Sequence, residues 1–334
     1  LLGSMAYLLG TALLYGSFGT LDLGLIAEAM SGGAPLPAPI ALAVALMVAG
    51  LLAKTALVPL HLWLPAAHGG APPSSSALLS SLVVKGSFFI LVRLWFDALP
   101  SAPLTEGAIL LGALGSLAIL HGSVMALRQA RLKMLIAYST IAQIGYLFLV
   151  FPLAAPGAAL AQHGDDLQSA ALAGGMLQAI SHAFAKAAMF LGAGVLAGLC
   201  GSDRLDALRG VAQRAPMTIF AMALAGFSLI GLPPSGGFWA KWRLLTASVE
   251  SGQWWWAVVI LIGGMLAVGY ITRILTISLD RSAAPRPSRD RRVTLGEIVT
   301  LALALTSFLL GILAFTSIKV LFIGRPLIEA GVTP

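Results

Sequence analysis

The sequence is poor in charged residues and in cysteine. Asp, Glu, Lys and Arg make up 10% of its 334 residues, whereas an ordinary soluble domain contains about 25%. So few charged side chains could not cover the surface of a soluble protein of this length. The single cysteine, Cys200, excludes an internal disulfide framework, a zinc site of four thiolates and an iron–sulfur cluster held by cysteines.

Apolar stretches take the place of the missing charge. Hydrophobic residues make up 58% of the sequence, and the mean hydropathy is +0.94. Stretches long enough to cross about 30 Å of hydrocarbon recur along the chain, and each must be a helix because lipid offers no partner for open backbone groups. We therefore predict an all-α polytopic membrane protein. Its nine predicted membrane segments are 1–16, 38–62, 76–96, 106–127, 132–152, 168–199, 215–248, 254–279 and 295–323.

The chain starts inside an apolar run. Leu1-Leu2-Gly3-Ser4 has no initiator Met and no basic region, so it does not have the form of a signal peptide. We expect the natural N-terminus to lie upstream of residue 1 and the chain to be the later part of a longer protein.

Basic residues are confined to alternate loops. The loops 17–37, 97–105, 153–167 and 249–253 contain no Lys or Arg, whereas the loops of the other side contain eleven basic residues. These are Arg128, Arg131, Lys133, Arg204, Arg209, Arg214, Arg281, Arg286, Arg289, Arg291 and Arg292. The positive-inside rule predicts that this set faces the cytoplasm, which supports nine crossings and a non-cytoplasmic tail at 324–334. The net charge of +7 therefore calls for no nucleic-acid partner.

Two predicted segments contain helix-breaking residues. The second runs through Pro59, and the seventh is interrupted at 231–237, which reads GLPPSGG and includes Pro233 and Pro234. Proline removes a backbone donor and glycine loosens the turn, so we expect both helices to break within the membrane. The two segments are five crossings apart and so run in opposite directions, which is the pattern of inverted repeats in transporters. Two unrelated proline kinks are the alternative.

Ionisable side chains at mid-membrane indicate functional sites. Residues near segment ends can reach the interface, and we interpret these as structural. They are Arg93, His121, Arg273 and Lys319. The candidates that remain are Lys54, Lys85, His182, Lys186 and Lys241. His182 and Lys186 are four residues apart and so share one helix face, although His182 alone would be more typical of a satisfied core residue.

No carboxylate is predicted near these lysines. All 13 acidic residues fall in loops or at segment ends. A buried ammonium without a charged partner tends towards its neutral form, so such a lysine can take up and release a proton. A row of them, bridged by water, His182, Tyr138, Ser139 and Thr140, would form a proton relay. Partners in an upstream part of the chain or in a neighbouring subunit are the alternative.

Five stretches resemble the signature of the antiporter-like membrane subunits of respiratory complex I, Mrp-type cation/proton antiporters and membrane-bound hydrogenases. They are 54–65 (KTALVPLHLWLP), 71–79 (APPSSSALL), 132–146 (LKMLIAYSTIAQIGY), 181–187 (SHAFAKA) and 231–241 (GLPPSGGFWAK). The resemblance implies fourteen core helices with two inverted five-helix repeats, each with one broken helix. Within a single membrane domain, 1–96 would end the first repeat, 106–249 would form the second, and 254–323 would be C-terminal helices.

The resemblance also implies roles for single residues. Lys54 and Lys241 match the lysines of the two broken helices, and Lys85 matches the bridging lysine. His182 and Lys186 match the central relay positions. The supporting polar residues would be His61, Tyr138, Ser139 and Thr140, and the breaks would lie at Pro59, Pro233 and Pro234. The family's glutamate that pairs with the first lysine has no counterpart here.

The function expected from this resemblance is proton translocation, with or without Na⁺ exchange, in a multisubunit complex of a bacterial-type inner or plasma membrane. Its partners would be other membrane subunits, lipids, protons and Na⁺. We expect no cofactor, metal or redox-catalytic residue, because no GxGxxG follows a strand and no cysteine cluster exists. The alternatives are a stand-alone transporter of a small solute, which would suit unpaired lysines if anionic, and an antiporter-like structural subunit without conduction.

Overall fold

The computed structural model describes residues 1–30, 36–99, 105–155, 164–280 and 293–313, with the side chains of 164–167 excepted. These residues form helices joined by short connections. The helices are α1 (Leu2–Phe18), α2 (Leu23–Ala29), α3 (Ala38–Thr55), α4 (Trp63–Gly70), α5 (Pro73–Leu78), α6 (Val84–Arg93), α7 (Thr105–Arg128), α8 (Leu132–Phe148), α9 (Val150–Ala154), α10 (Gly164–Cys200), α11 (Pro216–Ile230), α12 (Gly236–Glu250), α13 (Trp254–Leu279) and α14 (Leu295–Leu313). Single π-helical turns, Leu79–Val83 and Leu94–Ala98, follow α5 and α6. The 3₁₀ turns Leu205–Leu208 and Val211–Gln213 lie between α10 and α11.

The multi-pass all-helical architecture is confirmed, with fewer uninterrupted spans than predicted. Within the described ranges, seven stretches are long and apolar enough to cross a membrane, and α1 with α2, bent by 56°, makes an eighth if the pair is one span. The seventh predicted segment, 215–248, is divided into α11 and α12, each of 15 residues. Each half is too short to cross about 30 Å of hydrocarbon alone. The part of the last segment beyond Leu313 lies outside the described residues.

Both predicted helix breaks are present. α3 ends at Thr55, the next residue, Ala56, has left-handed backbone angles (φ 59°, ψ 40°), and α4 starts only at Trp63. α11 ends at Ile230, and the next residue, Gly231, has a φ of 91°, which lies in the region that favours glycine. Ser235 then caps α12 by accepting a hydrogen bond from the Phe238 N–H. Each break therefore leaves helix-end carbonyls without intrahelical partners inside the protein.

α8 and α10 form the centre of the bundle. In Leu132–Ala154, 89% of the membrane-length stretch is buried within the protein. The 37-residue α10 packs against α5, α8, α11, α12 and α14, while α7 packs along α8 and α1 along α3. Polar residues of α8 and α10 are therefore screened from lipid by the surrounding helices.

The N-terminal end of α14 is fixed against α11 by a buried carboxylate. Glu297, 2% exposed, accepts hydrogen bonds from the Thr294 backbone N–H at 3.0 Å and from Thr218 Oγ1 at 3.0 Å. Thr294 and Glu297 form a capping box at the start of α14. The acidic residue thus serves the helix end, as its sequence position predicted.

At its other end α14 contacts the second break. A Cβ added to Gly311 would lie 1.7 Å from the Pro234 carbonyl oxygen, so only glycine allows this approach. Between the two ends, the hydroxyls of Ser181, Ser228 and Ser307 form a buried ring with Oγ–Oγ distances of 2.8, 2.8 and 3.2 Å. α10, α11 and α14 are joined through this ring.

Candidate functional site

Four of the five ionisable residues predicted for the relay are buried. Lys186 is fully buried, and Lys85, His182 and Lys241 are 8%, 2% and 7% exposed. Lys85 belongs to α6, His182 and Lys186 to α10, and Lys241 to α12. The fold therefore gathers ionisable groups from three helices inside a membrane protein, which is costly unless polar atoms surround them.

Lys54, the fifth residue predicted for the relay, has an exposed side chain. Met47 and Gly50 lie on the face of α3 that packs on α1. Lys54 lies on the same face, one turn beyond Gly50. A Cβ on Gly50 would lie 2.4 Å from the Gly3 carbonyl oxygen, so the first turn of α1 lies opposite Gly50. The same turn of α1 also meets Ala53, since a Cβ on Gly3 would lie 2.9 Å from the Ala53 Cβ. Within the described chain Lys54 is thus separate from the buried group.

Lys186 is held against α8. Its Nζ donates to Ser139 Oγ at 2.5 Å and to the Ile136 carbonyl at 3.1 Å. The same carbonyl accepts hydrogen bonds from Ser139 Oγ at 2.9 Å and Thr140 Oγ1 at 3.0 Å. Two of the three hydroxyl residues predicted as bridges, Ser139 and Thr140, therefore lie at the central lysine, and three side chains converge on one backbone oxygen.

Lys85 binds the backbone of a residue whose side chain contacts Thr140. Its Nζ donates to the carbonyl of Ser80, which belongs to the π-helical turn Leu79–Val83. Ser80 Oγ lies 3.1 Å from Thr140 Oγ1. A π-helical turn departs from regular α-helical hydrogen bonding, and such turns are frequent at functional sites. The Ser80–Thr140 contact therefore joins the residue whose carbonyl binds Lys85 to the residue that shares the Ile136 carbonyl with Lys186.

Lys241 is bound by the end of α11. Its Nζ donates to the carbonyls of Leu229 and Ile230 at 2.7 and 3.0 Å. These carbonyls belong to the last turn before the break, where a helix lacks intrahelical donors and carries the negative end of its dipole. The ammonium also lies 4.4 Å from the ring centroid of Tyr146, which is a favourable cation–π distance.

A buried amide pair connects α8 to this carbonyl. Gln143 Nε2 donates to Leu229 O at 3.0 Å and to Tyr270 Oη at 3.2 Å, and its Oε1 accepts from Gln178 Nε2 at 2.9 Å. The sequence analysis missed these three residues because it searched for charge. A broader search, for any polar side chain in the middle of an apolar segment, would have found Gln143 and Gln178.

Three histidines are buried in the described part of the chain, namely His61, His68 and His182. Neither ring nitrogen of His182 or of His68 has a hydrogen-bond partner among the described residues. His68, which the sequence analysis did not select, is fully buried in the last turn of α4. His61, predicted as supporting, is buried at the first break and its ring lies 4.9 Å from that of His121. His121 was expected to reach the interface, but it contacts His61.

The remaining predicted positions lie at the edges of this arrangement. Tyr138 is half-buried and packs on the apolar clusters on both sides of α8. Pro59 is in the first break, and Pro233 and Pro234 are in the second. The two arginines interpreted as structural have local partners, since Arg93 pairs with Asp97 at 2.6 Å and Arg273 donates to the Leu127 carbonyl. Lys319 lies outside the described residues.

Oxygen atoms of the backbone and of hydroxyls, and no carboxylate, meet the buried lysines in the described part of the chain. The ion pairs found there lie at helix ends or in exposed loops, as in Arg131–Asp203 at 3.0 Å and Arg209–Asp280 at 3.1 Å. Such neutral acceptors stabilise an ammonium less than a carboxylate does, and they leave it free to release its proton. The arrangement can therefore hold and exchange protons.

A cavity of about 940 Å³ opens beside Lys85, between the α5–α6 stretch and α10. Lys85 is its one charged lining residue, and the rest are apolar or small, such as Phe88, Met176 and Phe184. Among the described residues, no three His, Cys, Asp or Glu side chains lie close enough to hold a metal ion.

Residues 1–267 match the family model described as NADH:quinone oxidoreductase/Mrp antiporter, transmembrane. The chain is 35% identical over 270 residues to NADH-quinone oxidoreductase subunit N of Desulforudis audaxviator, covering 80% of the chain and 51% of that protein. It is 32% identical over 278 residues to F(420)H(2) dehydrogenase subunit N of Methanosarcina mazei, covering 80% and 53%. The chain thus spans about half the length of these relatives.

Solved structures of membrane complexes contain chains with a similar fold. A chain of the Mrp complex from Dietzia superposes with a TM-score of 0.81 at 25% identity, covering 95% of this chain and 64% of that one. A chain of respiratory complex I from Thermus thermophilus with bound aureothin superposes with a TM-score of 0.66 at 28% identity, covering 95% and 66%. The described fold is therefore similar to subunits from both kinds of complex.

Proposed function

The chain belongs to the NADH:quinone oxidoreductase/Mrp antiporter membrane family, and on that premise we propose that it translocates protons as a membrane subunit of a larger complex. Its relatives include subunits named for NADH-quinone oxidoreductase and F(420)H(2) dehydrogenase. Structures similar to it come from an Mrp complex and from respiratory complex I. Other membrane subunits are accordingly its proposed partners, and an energy-transducing bacterial inner membrane is its proposed location.

The observation that carries the proposal is the juxtaposition of Lys85 and Lys186 across two hydroxyls. Ser80 and Thr140 contact each other at 3.1 Å, and Thr140 shares the Ile136 carbonyl with Lys186. A hydroxyl can accept a proton on one side and give one on the other, so this pair, joined to each amine by water, would carry protons between Lys85 and Lys186. A purely structural subunit would not need three lysines buried without carboxylate partners.

In the proposed relay, each lysine alternates between ammonium and amine. Lys85 and Lys186 are linked through Ser80, Thr140 and the Ile136 carbonyl, so a charge on one of them would act on the other. Protonation of one site therefore disfavours protonation of the next, because like charges repel strongly at low dielectric constant. Lys241 would be the terminal site, where the α11 carbonyls and the Tyr146 ring hold the ammonium until it is released. Lys54, although exposed, keeps its proposed place before Lys85 as a proton donor.

The first experiment removes the titratable groups at constant side-chain length. In proteoliposomes of the purified complex, a potassium gradient with valinomycin would drive proton uptake, followed with a lumenal pH dye. We expect Lys186→Met and Lys241→Met each to lower the rate at least tenfold. Lys319→Met is the matched control, since sequence analysis placed Lys319 near a segment end, and we expect it to leave the rate within twofold.

Assembly of each variant is checked by gel filtration before the flux is measured. Assembled Lys186→Met and Lys241→Met complexes that conduct as well as Lys319→Met would overturn the proposal and favour a structural subunit. Repeating the assay with an opposing Na⁺ gradient separates proton conduction from Na⁺/H⁺ exchange, because an exchanger should respond to that gradient without an imposed potential.

A further inference from the structure

The cavity beside Lys85 is a feature that the proposed relay does not require. Its volume of about 940 Å³ falls within the range of about 300–1,000 Å³ that is usual for small-molecule sites. One wall is the α5–α6 stretch. The other is a face of α10 on which Ala179, Ala183 and Ala187 recur every four residues and leave room between the helices. An apolar space of this size beside one ammonium group has the form of a binding site.

The cavity opens through the outer face of the α5–α6 stretch. Leu78, Leu82 and Phe89 line it and are 58%, 63% and 51% exposed. Leu82 and Phe89 flank Gly86 on one helix face, and a Cβ added to Gly86 would meet no atom within 4 Å. Since Pro73–Ala98 is long and apolar enough to cross a membrane, this face meets hydrocarbon chains. A molecule dissolved in the membrane can therefore enter the cavity from the side.

The head group that fits the cavity is an anion. The Lys85 ammonium has three N–H donors, and among the described residues it has one acceptor, the Ser80 carbonyl. Ser81 also lines the cavity, and its hydroxyl makes only a 3.5 Å contact with the Leu78 carbonyl. A carboxylate accepts several hydrogen bonds and forms strong charge-assisted bonds with an ammonium. The remaining Lys85 donors and the Ser81 hydroxyl are therefore complementary to a carboxylate.

The depth of Lys85 selects a free fatty acid among the anionic lipids. Lys85 lies near the middle of the membrane-length stretch Pro73–Ala98. The charged head group of a phospholipid would have to leave the membrane surface to reach it, which is costly. A fatty acid reaches this depth as the neutral, protonated acid. From Lys85 to Ser74 the lining rises about 16 Å, close to the half-thickness of about 15 Å that one lipid chain spans.

We propose that the cavity binds a long-chain fatty acid from the surrounding membrane, with its carboxyl group on Lys85 and its chain along α10, and that the bound acid stops the relay there. This inference rests on the proposed function. On binding, the O–H bond of the carboxyl group breaks and its proton forms a new N–H bond on the neutral Lys85 amine, so no oxidant or reductant is needed. The product is an ammonium paired with a carboxylate. This pair retains the proton on Lys85, so proton translocation would fall as the free fatty acid content of the membrane rises.

The first test measures binding, which does not depend on proton flux. The purified complex in nanodiscs is irradiated with palmitic acid that carries a mid-chain diazirine, and the labelled peptides are identified by mass spectrometry. We expect labelling of α10 between Met176 and Leu191. The methyl ester of the same probe has the chain without the charge, and we expect it to label at least tenfold less. Lys85→Met should lose labelling to the same extent. Lys241→Met, which removes a buried lysine outside the cavity, should be labelled like the parent.

The second test measures inhibition. Potential-driven proton uptake into proteoliposomes is followed with and without palmitic acid, and the uptake of protein-free vesicles with the same palmitic acid is subtracted. We expect palmitic acid to slow the parent at least fivefold. In Gly86→Leu the new side chain would occupy the cavity while Lys85 is kept. We expect its rate with palmitic acid to stay within twofold of its own rate without it.

The outcomes separate this inference from the proposed function. Equal labelling by the acid and its ester, equal labelling of the parent and Lys85→Met, or no labelling of α10 would each overturn the fatty acid site, whatever the flux. Labelling of α10 without slower uptake in the parent would overturn the inhibitory role. Proton uptake that survives Lys186→Met and Lys241→Met rejects the proposed function, and the labelling result stands independently of it.

Discussion

At the scale of single residues, backbone carbonyls stabilise the buried ammonium groups. Lys241 binds the final carbonyls of α11, Lys85 binds a carbonyl of a π-helical turn, and Lys186 binds the Ile136 carbonyl beside Ser139. A carboxylate in the same place would attract an ammonium with about 4 kcal/mol at 4 Å for an effective dielectric constant of 20. Neutral oxygens bind more weakly, and this difference allows a lysine to lose its proton during turnover.

Introducing a carboxylate next to Lys241 should therefore slow proton conduction. Gln143 Nε2 and Lys241 Nζ bind the same Leu229 carbonyl at 3.0 and 2.7 Å. In Gln143→Glu, an ionised oxygen would replace the amide nitrogen and retain the proton on Lys241. Only about 1.4 kcal/mol of added stabilisation slows proton release tenfold, so we expect at least a tenfold lower flux in proteoliposomes.

Gln178→Glu is the matched control for that substitution. Gln178 is one hydrogen bond further from the Leu229 carbonyl, through its 2.9 Å contact with Gln143 Oε1. We expect its effect on flux to be smaller than that of Gln143→Glu. If the two variants lowered the proton flux equally, or if neither lowered it, proton release from Lys241 would not depend on the neutrality of its hydrogen-bond acceptors.

The sequence indicated most of these residues through charge alone. A lysine inside an apolar segment is conspicuous, and Lys85, Lys186 and Lys241 are indeed buried. Lys54 is also a lysine in an apolar segment, yet its side chain is exposed in the described part of the chain. The amide of Gln143 carries no charge and its importance comes from contacts with other helices, which one sequence does not reveal.

At the scale of elements, the second helix break creates the site of Lys241, whose Nζ binds the final carbonyls of α11. Proline and glycine indicated both breaks correctly, since their effect on a helix is local. The π-helical turn at Leu79–Val83 has no such sequence signature, so the carbonyl that meets Lys85 was not predicted. The role of α14 was not predicted either, because it arises from a contact between residues 77 positions apart, Gly311 and Pro234.

This contact makes Gly311 sensitive to the smallest substitution. In Gly311→Ala, the methyl group would overlap the Pro234 carbonyl oxygen at 1.7 Å, and backbone atoms must move to admit it. Overpacking of this kind costs about 1–3 kcal/mol. We expect a lower thermal midpoint of the detergent-solubilised complex, measured by tryptophan fluorescence, together with a reduced flux because the break next to Lys241 shifts.

Gly264→Ala provides the comparison within a helix. Its added Cβ would meet nothing closer than the Ile230 carbonyl oxygen at 3.9 Å. Alanine is also favoured over glycine in a helix by about 1 kcal/mol, so we expect an equal or higher thermal midpoint. A Gly311→Ala complex as stable as Gly264→Ala would show that α14 does not hold the break.

At the scale of the whole molecule, the number of crossings depends on the broken pair. α11 and α12 have 15 residues each, and α11 followed by α12 either crosses the membrane once or turns back within it. One crossing preserves the alternation of basic and acidic loops from which the sequence predicted a cytoplasmic side. A re-entrant hairpin would place the loop before α11 and the loop after α12 on the same side.

Labelling of introduced cysteines separates these two topologies. In a Cys200→Ser background, which removes the single native thiol, the variants are Asp206→Cys before α11 and Glu250→Cys at the end of α12. Both native side chains are exposed, Asp206 by 74%. Loss of the Asp206 pair with Arg204 at 3.8 Å should cost little, as is usual for surface ion pairs. We expect a membrane-impermeant maleimide to label Asp206→Cys from the cytoplasmic side and Glu250→Cys from the opposite side. Labelling of both from one side would mean that Lys241 lies in a re-entrant loop, and the proton released there would return to the side from which it came.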